Sequence, residues 1–280
     1  MSKTGLVLEG GGLRGVFTAG AIQCFIEKDI DFDYVIGVSA GACNTFAFVG
    51  KQKDYMKRCM VQKNPFNSFY GLPQMVESHR YVDLDKVFYD YTEQYGYDFS
   101  KFMANPIEWE MAVSNIETGQ AEYMTSKDVD RARLIGKASC SIPGLTDPVE
   151  IDGHLYLDGG ICDSIPIERA MEKGCDRLVI ILTRKKGNYS KVNDAAMALF
   201  RRVYGDHPEF VKALAHRTQL YHDQVDLAEQ LEAEGKAIII RPTMQEVGRL
   251  ESDEKELTLS YYHGYTKAKE YVDMIRKWSD

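Results

Sequence analysis

The sequence predicts an α/β protein, with a mainly parallel central sheet between two helical layers and an additional helical portion towards the C-terminal end. Three observations carry this. The short apolar runs "GLVLE" (5–9), "YVIGV" (34–38) and "RLVIILT" (177–183) have the length and composition of strands buried on both faces. Each of the first two is followed by a glycine-containing turn and then a helical pattern, the alternation that builds a parallel sheet covered by helices. The last third is charged and helically patterned, with one return to strand at "AIIIRP" (237–242).

Along the chain, "GLVLE" is ended by Gly10-Gly11-Gly12. From Leu13 to Lys28 the apolar residues Val16, Ala19, Ile22, Phe25 and Ile26 recur at helical spacing. After "YVIGV", residues 40–50 read as helix, and 51–106 are less regular. "IEWEMAVSN" (107–115) alternates, with Ile107, Trp109, Met111 and Val113 on one face and Glu108 and Glu110 on the other. A turn at Thr118-Gly119 and the run "AEYMT" complete a hairpin. "VEIDGHLYLDGG" (149–160) is a second hairpin, with Asp152-Gly153 as its turn signal. A helix opened by Pro166 precedes the strand at 177–183. Residues 190–234 read as helix, and in the final helix, 254–278, Tyr261, Tyr265, Ala268, Val272 and Ile275 step by four and three. The expected organisation is a core over 1–185 and a mostly helical portion over 186–280, whose strand (237–241) and last helix pack on that core.

With 44% hydrophobic and 27% charged residues, the composition is that of a globular protein with a sizeable core. A net charge of −8 argues against nucleic acid as a partner and against simple electrostatic adsorption to anionic lipid. The six cysteines contain no C-x-x-C pair, so they read as reduced, mostly buried thiols of a cytoplasmic protein. No signal peptide and no transmembrane span is visible.

Two motifs bear on chemistry. Gly37-Val38-Ser39-Ala40-Gly41 is G-x-S-x-G, which turns sharply from strand to helix and exposes its serine. Ser39 reads either as a nucleophile or as a helix cap. Gly10-Gly11-Gly12-Leu13-Arg14-Gly15 matches G-x-G-x-x-G, yet the second strand ends in Gly37-Val38-Ser39 instead of the ribose-binding acid that a dinucleotide site requires. There is also no G-K-[ST] of a phosphate loop. Such a loop can instead aim backbone N–H groups at a developing oxyanion. No histidine is an obvious base. His207, His216, His222 and His263 lie in charged helical stretches, His79 in an irregular one, and His154 on a hairpin strand. His154 and Asp158 share a strand face about 13 Å apart, at roughly 3.3 Å per residue, too far for direct contact. Asp158-Gly159-Gly160 ends that strand with an acid and two glycines.

Together, "EGGGLRG", "GVSAG" and "DGG", in this order, with "ASCSIPGLTDPVEIDGHLYLDGGICDSIPI" (138–167), resemble the patatin-like phospholipases over about residues 5–183. The resemblance implies a patatin-like three-layer fold and a metal- and cofactor-free Ser–Asp dyad acting on phospholipid or other lipid acyl esters. By position, Ser39 would be the nucleophile and Asp158 the base. The amides of Gly10, Gly11 and Gly12 would be the oxyanion donors, with Arg14 and Gly15 bracing that loop. Gly37, Gly41, Gly159 and Gly160 would be the supporting glycines of the elbow and of the aspartate turn. An acyltransferase sharing the intermediate and a low-turnover lipid-binding protein remain as alternatives. Peripheral membrane contact is expected at "NPFNSFYGLPQM" (64–75), which reads equally as a lid bearing Phe66, Phe69, Tyr70 and Leu72 or as a packed core segment.

Overall fold

The computed structural model describes residues 2–61, 69–71, 76, 81–188 and 194–279. Most of the 64–75 segment therefore lies outside the described residues, as do His79 and residues 190–193.

Among the described residues, eight strands form one sheet. β1 (Thr4–Leu8) is flanked by β2 (Tyr34–Val38) and β7 (Arg177–Ile181), with β3 (Glu108–Asn115) beyond β2 and β8 (Ala237–Ile240) beyond β7. These five are mutually parallel, in a register that pairs Leu8 with both Gly37 and Ile181. β4 (Ala121–Met124) is the antiparallel hairpin partner of β3, and β5 (Val149–Ile151) pairs antiparallel with β6 (His154–Asp158). The hairpin turn between the last two has φ 53° at Asp152 and 83° at Gly153, the doubly positive geometry that an Asp-Gly pair favours.

The apolar runs are continuous because both faces are covered. Leu6, Leu8, Val35, Val179 and Ile181 face one layer; Val7, Tyr34, Ile36, Leu178 and Ile180 face the other. The first layer holds α1 (Gly15–Glu27), α2 (Ala40–Val49), α3 (Tyr55–Met60), α4 (Phe99–Ala104), α5 (Val129–Ser139) and the C-terminal α9 (Glu254–Ser279). Across the sheet lie α6 (Ile167–Glu172) and α8 (Pro208–Ala233), whose Tyr221, Val225, Ala228 and Leu231 form its buried stripe. α7 (Asp194–Val203) and the start of α8 make a third cluster with Leu157 and Ile161 beside the end of β6.

The expected stripe of the last helix is present: Tyr261, Ala268, Val272 and Ile275 are buried, and Tyr265 is half-buried with its hydroxyl on Glu27. α9 lies almost backbone to backbone on α1, since a Cβ on Gly264 would stand 1.9 Å from the Phe17 carbonyl oxygen. The polar face expected for β3 is in fact covered as well. Glu110 is buried and held by Arg169 at 2.8 Å and the Tyr34 hydroxyl at 2.7 Å. Six free cysteines are present, four buried and two half-buried.

Met111 pairs with both β2 and β4, and Val113 with both β4 and β6, so β2 and β6 lie on the same edge of β3. They approach head to head, with Val38 opposite Ala112 and Asp158 opposite Val113. The chain ends of these two strands must therefore meet.

Candidate active site

At that meeting point Ser39 has φ 56° and ψ −123°, a conformation that residues with a side chain rarely hold unless the surroundings impose it. The impositions are visible. A Cβ on Gly37 would come within 2.3 Å of the Gly41 carbonyl oxygen, and one on Gly41 within 2.2 Å of Leu8 O, so only glycine fits at either position. From the last residue of α5, the buried Ser139 closes the turn: the Ser39 amide donates to its Oγ at 2.9 Å, and that hydroxyl donates to Ala112 O of β3 at 2.7 Å. Ser39 does not cap α2 through its side chain, which excludes the capping alternative.

Ser39 Oγ instead donates to Asp158 Oδ2 at 2.7 Å. Asp158 Oδ1 accepts from the Gly160 amide at 2.8 Å, its own amide donates to Ser141 O at 2.7 Å, and its carbonyl accepts from Ser114 Oγ at 2.9 Å. Four contacts thus fix this residue, two on its carboxylate and two on its backbone. Gly159 permits the close approach, because a Cβ there would stand 2.1 Å from Ala112 O. Burial pushes the Asp158 pKa above the ordinary carboxylate value. The Ser39 hydrogen bond, the Arg217 cation, the Gly160 amide and the Arg249 cation act in the opposite sense.

The glycine loop runs between the end of β1 and α1. Gly12 has φ 58°, and a Cβ on it would sit 2.7 Å from the Arg249 carbonyl oxygen, which also accepts the Leu13 amide at 2.9 Å. The carbonyl of Gly10 is tied to Thr183 Oγ1 at 2.8 Å. Among the described residues, the amides of Gly10, Gly11 and Gly12 donate no hydrogen bond, and they stand beside Ser39 on the wall of one cavity. Gly15 packs the start of α1 on α2, with room for no side chain against Ala40. Arg14, expected to brace the loop, donates no side-chain hydrogen bond to it. Its guanidinium is buried against Gly11 and faces the cavity.

The cavity measures about 370 Å³ and holds Ser39, Asp158 and the three glycines. Its apolar wall includes Phe69, Ile142, Leu145, Phe200 and Leu214. Phe69 of the expected lid therefore reaches the cavity, although it also packs against the core. No histidine lines it among the described residues. His154 is exposed at the far end of β6, its Nδ1 2.8 Å from Glu117 Oε2. His263 packs edge-on against Phe17.

Residues 6–171 match the family model described as patatin-like phospholipase. The chain belongs to this family. A second model, described as a domain of unknown function (DUF6363), matches residues 207–280. Among curated relatives of this patatin-like chain, the uncharacterized protein YjjU of Escherichia coli K12 is 31% identical over 195 residues, 65% of this chain and 52% of that protein. Lysophospholipase NTE1 of Saccharomyces cerevisiae is 25% identical over 269 residues, 88% of this chain and 15% of that one. The chain spans about half the length of the first and far less of the second. The crystal structure of VipD from Legionella pneumophila superposes with a TM-score of 0.52 at 13% identity, covering 98% of this chain and 67% of that one, a likeness of fold.

Sequence reasoning missed the C-terminal contribution to the patatin-like site. Leu214, Arg217, Thr218 and Tyr221 line the cavity from α8 at i, i+3, i+4, i+7, one helical face. Arg217 Nε donates to Gly160 O at 2.6 Å, which holds the aspartate turn. That spacing is present in the sequence, but a charged helix does not show which of its faces is buried. Arg249 sits in a loop with no local signal at all. No helix among the described residues is long and apolar enough to cross a membrane.

Proposed function

We propose that the protein is a serine acyl-ester hydrolase of lipids, of phospholipase A or lysophospholipase type, working through a Ser39–Asp158 dyad. The observation that carries this reading is the 2.7 Å hydrogen bond from Ser39 Oγ to Asp158 Oδ2, made at a strained elbow inside a cavity with an apolar wall. Ser39 Oγ attacks the ester carbonyl as its proton passes to Asp158. The negative charge on the carbonyl oxygen falls to the unbonded loop amides, each such donor being worth about 10²–10³ in rate. When the tetrahedral species collapses, the C–O bond to the alcohol breaks and Asp158 returns the proton to the departing alkoxide. Water, deprotonated by Asp158, then attacks the acyl-enzyme and releases the fatty acid and free Ser39. A raised carboxyl pKa makes Asp158 a stronger base than a solvated aspartate, which a dyad without histidine needs.

Fluorophosphonate labelling with peptide mapping, and a lipid-ester panel with wild type and Ser39→Ala, test this. The label should fall on Ser39 alone, and Ser39→Ala should lose both label and hydrolysis. Labelling of Ser139, Ser141 or Ser164 would overturn the assignment. An added alcohol acceptor that diverts the acyl group from water would show a transferase with the same intermediate.

A further inference from the structure

The chain carries a net charge of −8, yet the cavity that holds Ser39 and Asp158 is lined by more arginines than acids. Arg14, Arg184, Arg217 and Arg249 line it, against Glu9 and Asp158, with no lysine or histidine. Both acids offset part of this charge, but each also holds other partners. Glu9 is buried and already accepts the Thr183 amide at 2.5 Å and the Tyr221 hydroxyl at 3.0 Å, and Asp158 is engaged as described.

Arg14 is the sharpest case. Its side chain is only 8% exposed, its Nε is sealed from solvent without a partner, and it makes no hydrogen bond or ion pair among the described residues. Arg249 donates no side-chain hydrogen bond either, and Arg217 uses only Nε. Burial and the neighbouring Arg184 push the Arg14 pKa down against Glu9 and Glu246, and burial and Arg217 push that of Arg249 down against Asp158. A buried guanidinium facing others of its kind is costly unless an anion completes the site. A fork of N–H groups fits phosphate oxygens in pairs.

Resting on the acyl-hydrolase reading, we propose that the arginine side of this cavity binds a net-negative phosphate carried by the lipid ester, and that the C-terminal portion supplies the specificity residues Arg217 and Arg249 beside Arg14. Geometry supports a place near the reacting ester. Arg217 is held on the Gly160 carbonyl next to Asp158, and the Arg249 backbone is held by the Leu13 amide next to the oxyanion loop. In a glycerophospholipid the phosphorus follows the ester oxygen by a few single bonds, so an acyl chain on the apolar wall leaves the phosphate to the guanidiniums. Four arginines disfavour a quaternary ammonium, so phosphomonoester and phosphoglycerol head groups are preferred over phosphocholine.

Non-hydrolysable ether lipids of one short chain, kept below micellar concentration, test this without depending on turnover. Calorimetry compares 1-O-alkylglycerol 3-phosphate, its phosphocholine counterpart and the bare alkylglycerol on wild type, Arg249→Gln and Arg14→Gln. The phosphate ether should bind wild type at least about tenfold more tightly than the other two, and each substitution should cut that ratio by roughly ten- to a hundredfold. Because burial opposes the Arg14 charge and its guanidinium makes no hydrogen bond among the described residues, Arg14→Gln should not lower the melting temperature, whereas loss of a structural brace would. Equal binding of the three ethers, the same loss for all of them in the variants, or inorganic phosphate binding as tightly as the phosphate ether would overturn the proposal. If the preference holds while the matching esters are not hydrolysed, the head-group site stands and the hydrolase reading falls.

Discussion

Replacing Asp158 by asparagine isolates basicity from shape. The carboxylate accepts two hydrogen bonds, from the Gly160 amide on Oδ1 and from Ser39 Oγ on Oδ2. An amide has one oxygen, and the backbone N–H can be met only by that oxygen, so the Asn nitrogen must take the Oδ2 position. It then offers a donor to Ser39 Oγ, and the hydroxyl proton has nowhere to go. Losing a positioned general base costs about 10²–10⁴ in rate, which is about 3–5 kcal/mol of barrier at 1.36 kcal/mol per decade. The fold should survive, because a neutral group replaces a carboxylate whose ionisation burial opposes. The assay is kcat/KM on a short-chain nitrophenyl ester, with a thermal melt as the folding check. His154→Ala is the companion variant: that ring is exposed and engaged with Glu117, and it should lose less than about threefold if it stands outside the machinery. Full activity in a folded Asp158→Asn protein, or collapse in a folded His154→Ala one, would refute the dyad. The pH profile gives an independent reading. A base at Asp158 must be ionised to act, so on the dyad reading activity should fall as pH drops through its raised pKa. Arg217→Gln, by removing a cation that holds this pKa down, should move the acid limb to higher pH.

Three further outcomes follow from the same geometry. Ser139→Ala removes both the acceptor of the Ser39 amide and a donor to Ala112 O, and should lower stability by about 1–3 kcal/mol and slow acyl-enzyme formation, read by melt and by fluorophosphonate labelling rate. Gly12→Ala puts a Cβ 2.7 Å from Arg249 O at φ 58°, so it should cost about 1–2 kcal/mol and at least tenfold in turnover; near-normal turnover would remove the loop from the mechanism. Asp163, buried between the Tyr123 hydroxyl at 2.7 Å and Gln224 Nε2 at 2.5 Å, has its pKa raised by burial to about 6. A raised acid favours the folded state when protonated, so wild type should lose stability relative to Asp163→Asn as pH rises from about 4 to about 6. The change should total about 3 kcal/mol, and a flat difference across denaturant melts in that window would contradict it.

The reach of the sequence ends where long-range register begins. Strands buried on both faces write themselves as unbroken apolar runs, so β1, β2, β7 and β8 were legible, as were both hairpins from Thr118-Gly119 and Asp152-Gly153. The elbow was legible because Gly37 and Gly41 are demanded by contacts only five residues wide or against the adjoining strand. What no local pattern encodes is that β2 and β6 share one edge of β3, since that depends on which carbonyls of Met111 and Val113 face which neighbour. Yet this single registration brings Ser39 and Asp158, 119 residues apart, to 2.7 Å. The arginines show the complementary limit. Arg217 in "AHRTQLY" has the spacing of an exposed helix, and only burial of its neighbours Leu214 and Tyr221 turns that face inward. A charged residue on an amphipathic stripe reads as surface until what it packs against is known, and here that face lines the cavity. The acidic balance of the whole chain therefore says nothing about the field at the site, where four guanidiniums outnumber two engaged carboxylates.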